Sequence, residues 1–368
     1  MTAPSTAADL VPWDTAVRLA AATTPAGPVV PRGTRRAVVA LLRRSLDDAL
    51  PWAGAVTGLR AAAERAAASC EVLVVDRPGL MTAQVASLRA VLDGVEAPPP
   101  GRVAHALGAV QVAGALGLVS TRLLGQVLPA VDGAGSTRLL LVAPNVLAIQ
   151  RRLELDLLDL PAWVTLHEAT HLIQLQAAPW LAGHLTDSMR GVVAGLVAAV
   201  GGGRDDHPGV GARLGRVARL LRTEQRSRGA GLPDGAVLLD EMLQPPERSR
   251  LAHLAAVLAL MEGHAEAVLD TVEPTRMPSV HRLRAVLART RGDEGGVGPG
   301  PGVGGLLNRV IGLEAKEAQY ADGAAFVRAV LARVGHEGFN IVWRDPKNLP
   351  LPSEIARPDR WIERLGLS

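Results

Sequence analysis

Trp163–Gln174 reads WVTLHEATHLIQ, and its centre, His167-Glu168-Ala169-Thr170-His171, is an HExxH segment. Residues four apart share one face of a helix, so His167 and His171 can present their imidazoles to a single metal ion. Glu168, one step round the helix, then reaches the ion's remaining position, where a water sits. The flanks favour a helix. Pro161 suits a first turn, Asp159 is a candidate N-cap, and Pro179 stops the segment. Val164, Leu172 and Leu175 supply the apolar side that seats it in a core.

A catalytic zinc site takes a third protein ligand and leaves one position for water. The extended metzincin pattern needs Gly at 174 and His at 177, where this chain has Gln174 and Ala177. A glutamate about twenty residues on is also missing, since none lies between Glu168 and Glu224. His184 and Asp187 fall in that interval as weaker candidates. Further along, Leu258–Asp270 (LALMEGHAEAVLD) is an apolar helical run interrupted by Glu262, His264, Glu266 and Asp270. The three acids sit at i, i+4 and i+8, one stripe that is costly to bury unless a cation or donors neutralise it. The third ligand therefore lies among Glu262, Glu266 and His264.

Working outward, the chain is mostly helical. Apolar residues recur at helical spacing in Thr34–Leu50, Met81–Leu92, Val103–Leu128, Leu160–Ala177, Val210–Arg222, Leu251–Val272 and Leu306–Val334. Glu71–Asp76 (EVLVVD) and Arg138–Val142 (RLLLV) read as strands, each ended by a proline turn. These elements predict an α+β, mainly helical fold. Residues 1–10 are expected to be a disordered N-terminus and 11–368 a single domain, with Gly292–Gly305 (GDEGGVGPGPGVGG) a flexible loop within it.

Composition narrows the function classes. Thirty-nine basic residues against 36 acidic ones, with no block of like charge, give no footprint for nucleic acid. The low aromatic content, 2%, argues against stacking platforms for single strands. All the basic residues but Lys316 and Lys347 are arginine, the mark of a GC-rich bacterial genome. Cys70 is the only cysteine, which excludes an internal disulfide and any multi-cysteine metal site, and fits a reducing, cytoplasmic setting. Beside a strand, it reads as core packing. Met1–Leu10 lacks the basic start of a secretory peptide. The uncharged run Val103–Thr121 has the length of a membrane span. Its Gly and Ala content, His105, Gln111 and missing aromatic belt favour a buried, close-packed helix instead. His105, His253, His281 and His336 have no partner at ligand spacing.

Glu262-x-x-Ala265-Glu266 resembles the E-x-x-A-D helix of several zincins, in which the first acid binds the metal and the second hydrogen-bonds a ligand histidine. More broadly, the chain resembles the zincin-like metallopeptidase type 2 family, in particular the bacterial subgroup associated with deazaflavin coenzyme biosynthesis. The resemblance runs from Pro12-Trp13-Asp14 to Pro358–Trp361. It is carried by VVDRPG (Val74–Gly79), LLLVAPN (Leu139–Asn145), WVTLHEATH (Trp163–His171), Ala178-Pro179-Trp180, MEGHAEAVLD (Met261–Asp270), QYADGAAFV (Gln319–Val327) and GFNIVW (Gly338–Trp343). Leu80 departs from the tryptophan expected there, and Gln126–Pro129 (QVLP) lacks the usual aromatic and acidic residues. The resemblance implies a zincin-like fold with a small β-sheet and an HExxH active-site helix. It implies Zn2+ as cofactor on His167, His171 and Glu262, with Glu266 as the partner that orients a histidine. No Gly-rich phosphate cradle suggests that the coenzyme itself binds.

Two function classes follow. One is a zinc hydrolase acting on a peptide or protein, with Glu168 as general base and Arg138–Val142 as the edge strand along which substrate is laid. Tyr320 and His264 are candidate oxyanion helpers. The other is a non-catalytic binding or assembly protein that zinc stabilises.

Overall fold

The computed structural model describes residues 5–131, 136–201, 243–285 and 323–367. Its elements run α1 (Trp13–Thr23), α2 (Arg32–Thr57), α3 (Arg60–Ser69), β1 (Glu71–Val75), α4 (Arg77–Leu92), α5 (Arg102–Arg122), β2 (Gly125–Leu128), β3 (Arg138–Val142), α6 (Ala143–Arg152), α7 (Asp159–Ala177), α8 (Leu181–Gly201), α9 (Pro245–Asp270) and α10 (Gly323–Phe339). Two 3-10 turns (Asn340–Trp343 and Pro346–Asn348) and two short α-helices (Pro352–Ile355 and Pro358–Arg364) follow. This is a mainly helical α+β architecture with one small sheet, as the periodicities predict. Val210–Arg222, Gly292–Gly305, the first part of Leu306–Val334 and Tyr320 lie outside the described residues.

The HExxH helix, α7, is the axis of the fold. From Asp159 to Leu175 nearly every residue is buried, the polar ones included. A helix apolar on every side must be enclosed on every side. Here α2, α3 and α9 pack round it, and the sheet closes the remaining face. Asp159 does not cap this helix. It is the first helical residue, and its buried carboxylate accepts from the backbone N–H of Ser279.

The sheet has strand order β1-β3-β2, with β1 parallel to β3 and β2 antiparallel to it. Its period-2 alternation sorts two cores. Leu139, Leu141 and Val127 face the α2–α7 side, while Leu140, Val142 and Leu128 face Leu80, Ala83 and Val119 of α4 and α5. β3 is thus the central strand, hydrogen-bonded on both sides, so Arg138–Val142 cannot be the substrate edge. The helical run expected to reach Leu128 ends at Arg122 instead. The Asn145 amide takes the carbonyls of Ser120 and Leu123, at 2.8 and 2.6 Å, and so closes the last turn of α5. The chain then turns into β2.

The same asparagine explains two of the sequence motifs. Arg77 of VVDRPG is buried and donates from Nε to Asn145 Oδ1 at 2.8 Å, while its Nη1 donates to the Pro25 carbonyl. Asp76 caps α4 by accepting from the Gly79 N–H at 2.8 Å, with Pro78 in the first turn. Gly27, at φ +101°, lets the loop cross Pro144, where a Cβ would stand 2.7 Å from the proline ring. These residues clip the end of the sheet together.

Two further points differ from the sequence reading. Ser5–Leu10 is not a disordered arm. Ala7–Leu10 forms a 3-10 turn with Ala7 and Ala8 buried, held by the Ala7 N–H on the Val95 carbonyl at 2.7 Å. α5 is also not enclosed. Ala109, Ala113, Leu116 and Val119 face inward, while Val103, Leu107, Val110 and Leu118 are exposed. α5 and α9 are each long and apolar enough to cross a membrane, but most of that stretch of α9 is buried in the fold. Lastly, α9 and α10 meet through Gly263 and Gly323, where a Cβ would stand 2.2 Å from the Gly323 carbonyl oxygen or 2.0 Å from that of Ala259. Only glycine allows this crossing.

Candidate metal centre

α7 and α9 run side by side, and the site forms between them. His167 and His171, one turn apart, bring their Nε2 atoms to 3.1 Å. Glu262 of α9 closes the triangle, with Oε2 3.3 Å from His167 Nε2 and Oε1 3.5 Å from His171 Nε2. An ion bonded tetrahedrally at about 2.0–2.1 Å holds neighbouring donors roughly 3.3 Å apart. The three donors have that spacing, and they are the group of three or more His, Cys, Asp and Glu side chains among the described residues that could converge on one ion.

The tautomer of His171 follows from its surroundings. Gln174, fully buried, places Nε2 2.9 Å from the Met261 carbonyl, which can only accept. That fixes the orientation of the amide and leaves Gln174 Oε1, 2.9 Å from His171 Nδ1, as acceptor. His171 Nδ1 therefore bears the proton, and the Nε2 lone pair points at Glu262 and His167. Burial also holds the His171 ring below its ordinary pKa, so it stays neutral and able to ligate.

Glu168 is 2% exposed, and its Oε2 has no hydrogen-bond partner among the described residues. Burial, and next the negative charge of Glu262, hold its carboxyl well above the usual carboxylate range. Its other face lies on β2. A Cβ at Gly125 would stand 2.6 Å from Glu168 Cγ and 2.8 Å from Oε1. Glu168 is thus a buried carboxyl that feels the charge of Glu262, one of the three metal donors.

Residues 11–362 match the zincin-like metallopeptidase family. The chain belongs to that family. A crystal structure from Chloroflexus aurantiacus, described as a candidate hydrolase with a novel fold, superposes with a TM-score of 0.59 at 25% identity, over 97% of this chain and 99% of that one. No curated protein matches the sequence. The family match does not single out a subgroup.

Within this zincin-like chain the remaining candidates take other places. His264 is no ligand. Its Nδ1 accepts from Gln174 Nε2 at 3.1 Å, and its ring lies against Phe339 and Trp343. Burial, with smaller contributions from His336 and His171, pushes its pKa down to about 3, so it is a neutral histidine enclosed in the core. Glu266 Oε2 lies 3.9 Å from Arg328, which also pairs with Asp270 at 2.7 Å. The acidic stripe is thus divided, its first member facing the histidines and the next two facing an arginine. His184 is turned away from the triangle, toward His253. Cys70 is part-buried, its thiol pushed up to about 11 mainly by burial, which suits core packing. The motif GFNIVW supplies Phe339 and Trp343 to the His264 cage and anchors Asn340 on the Thr57 carbonyl at 2.8 Å. Gln174 and Gly125 were not singled out by spacing as site residues. In the sequence Gln174 stands only where the metzincin pattern needs glycine, and Gly125 falls within the helical periodicity of Val103–Leu128.

Proposed function

We propose that this zincin-like protein is a zinc-dependent hydrolase, most simply a metallopeptidase acting on a peptide or protein. The observation that supports it is the His167–His171–Glu262 triangle with the buried carboxyl of Glu168 beside it. The three donors would hold Zn2+, which when bound supplies a Lewis acid and brings a water's pKa toward neutrality. Glu168 takes the proton of the attacking water and delivers it to the leaving nitrogen. A raised pKa suits that return, and a nearby cation opposes the shift, leaving the group poised between acid and base. Gln174 keeps His171 in the ligating tautomer throughout. A cytoplasmic setting accords with the single cysteine.

One observation favours the second reading, a zinc-stabilised assembly protein without turnover. Both histidines, Glu168 and all four residues of β2, the strand beside the site, are buried. The two readings part on Glu168→Gln, assayed with a peptide library and by elemental analysis. Retained zinc with hydrolysis reduced by about 10²–10⁴-fold supports the hydrolase. Loss of zinc, or turnover unchanged, overturns the assigned role. No hydrolysis by the zinc-loaded native chain favours the assembly protein.

A further inference from the structure

A second pair of histidines meets away from the HExxH helix. His184 of α8 and His253 of α9 bring their Nε2 atoms to 3.2 Å, with ring planes at 82°. That is the contact made by His167 and His171, at 3.1 Å and 87°. We propose that His184 and His253 form a second, solvent-accessible site for a divalent transition ion, bridging α8 to the helix that presents Glu262.

The geometry supports an ion over an isolated contact. Two nitrogens on one ion at about 2.0–2.1 Å stand roughly 3.3 Å apart, the separation found here. Both rings are only part-buried, so water can complete the coordination shell. Asp187, one helical turn beyond His184 and mostly exposed, adds a negative charge near the ring that its pairing with Arg190 at 4.0 Å partly offsets. Burial holds both rings below their ordinary pKa, which keeps them neutral with lone pairs to donate. Imidazole pairs prefer Zn2+, Ni2+ or Cu2+ over Mg2+ or Ca2+. With two protein ligands against three, this site fills after the first. Nine residues of helix separate His253 from Glu262, roughly 13 Å at the rise of an α-helix, so the two ions occupy distinct positions. Filling the second site fastens α8 to α9 and stabilises the folded chain by mass action.

The test starts from the full chain loaded with one equivalent of zinc and titrates Cu2+ while following tryptophan fluorescence. Trp180 stacks edge-on against His184 at 5.9 Å and serves as the reporter. The expected result is a second stoichiometric step that quenches fluorescence. The step is lost in His253→Ala and in His184→Asn, and survives in His281→Ala. The same step persists in the His167→Ala/His171→Ala variant, which separates this site from the hydrolase centre. If His253→Ala and His184→Asn, folded by circular dichroism, keep the step, or the native chain shows none, the proposal is overturned and the two rings share only an N–H···N bond.

Discussion

Gly125 and Glu168 are packed so closely that any side chain at 125 would enter the space of the carboxylate, its Cβ falling 2.6 Å from Glu168 Cγ. The backbone of β2 thereby sets where the proposed base stands relative to the metal donors. Gly125→Ala should displace the Glu168 side chain while leaving His167, His171 and Glu262 in place. A displacement near 1 Å of a positioned group costs on the order of 10²-fold in rate. The expected outcome is a drop in kcat of that order with one zinc retained per chain. Unchanged kcat would show that Glu168 is not held by this contact.

Gln174 ties the ligand helix to α9 through one amide, which accepts from His171 Nδ1 and donates to Met261 and His264. Replacing it by leucine strands a buried N–H, a carbonyl and a ring nitrogen, and it frees the His171 tautomer. Partners of this kind typically contribute 10–100-fold to metal affinity. Gln174→Leu should therefore weaken zinc binding within that range, measured by competition with a chelator. Gln174→Glu, which can still accept from His171, should recover part of the loss. Equal weakening in both variants would point to general damage to the core.

The metal-binding half of this site was legible because its signal is local. HExxH and the Glu262–Asp270 stripe each lie within one helix, where spacing alone decides which side chains share a face. The division of the stripe was not legible, since Arg328 of α10 joins Glu266 and Asp270 from far along the chain. β2 was hidden for a similar reason. Nothing in GQVL breaks a helical pattern, and the change to strand depends on Asn145 and on pairing with β3. His253 met no partner at ligand spacing because its partner stands 69 residues earlier. The Gly and Ala content of α5, with His105 and Gln111, predicts an enclosed helix, but Val103, Leu107, Val110 and Leu118 are exposed.

Cys70 offers a pH-dependent check that does not involve the metal. Its thiol is pushed up to about 11, mainly by burial. In the native chain, alkylation should be slow at neutral pH and rise tenfold per pH unit up to about pH 11. In denaturant the rate should level off near the free-thiol value of about 8.5. The folded form holds this proton more tightly than the unfolded form does. The thiol's contribution to stability is thus complete below the unfolded pKa and is lost as pH rises through the folded one. Identical alkylation profiles in both states would contradict the burial of this side chain.

Asn145 makes the most exacting demand on the fold, because three buried groups depend on one side chain. Its Oδ1 receives Arg77 Nε, and its amide closes α5 on the Ser120 and Leu123 carbonyls. Asn145→Leu keeps the branching at Cγ but leaves all three without their partner, one of them charged. Each such loss costs about 1–3 kcal/mol, so the variant should be destabilised by at least about 3 kcal/mol, read from the midpoint of urea unfolding. The role is structural, so zinc content under native conditions should not change. Asn145→Asp keeps the acceptor for Arg77 and loses the donor to the two carbonyls, so it should fall between the leucine variant and the native chain. A loss below about 1 kcal/mol for Asn145→Leu would mean that water, rather than this asparagine, satisfies the end of α5.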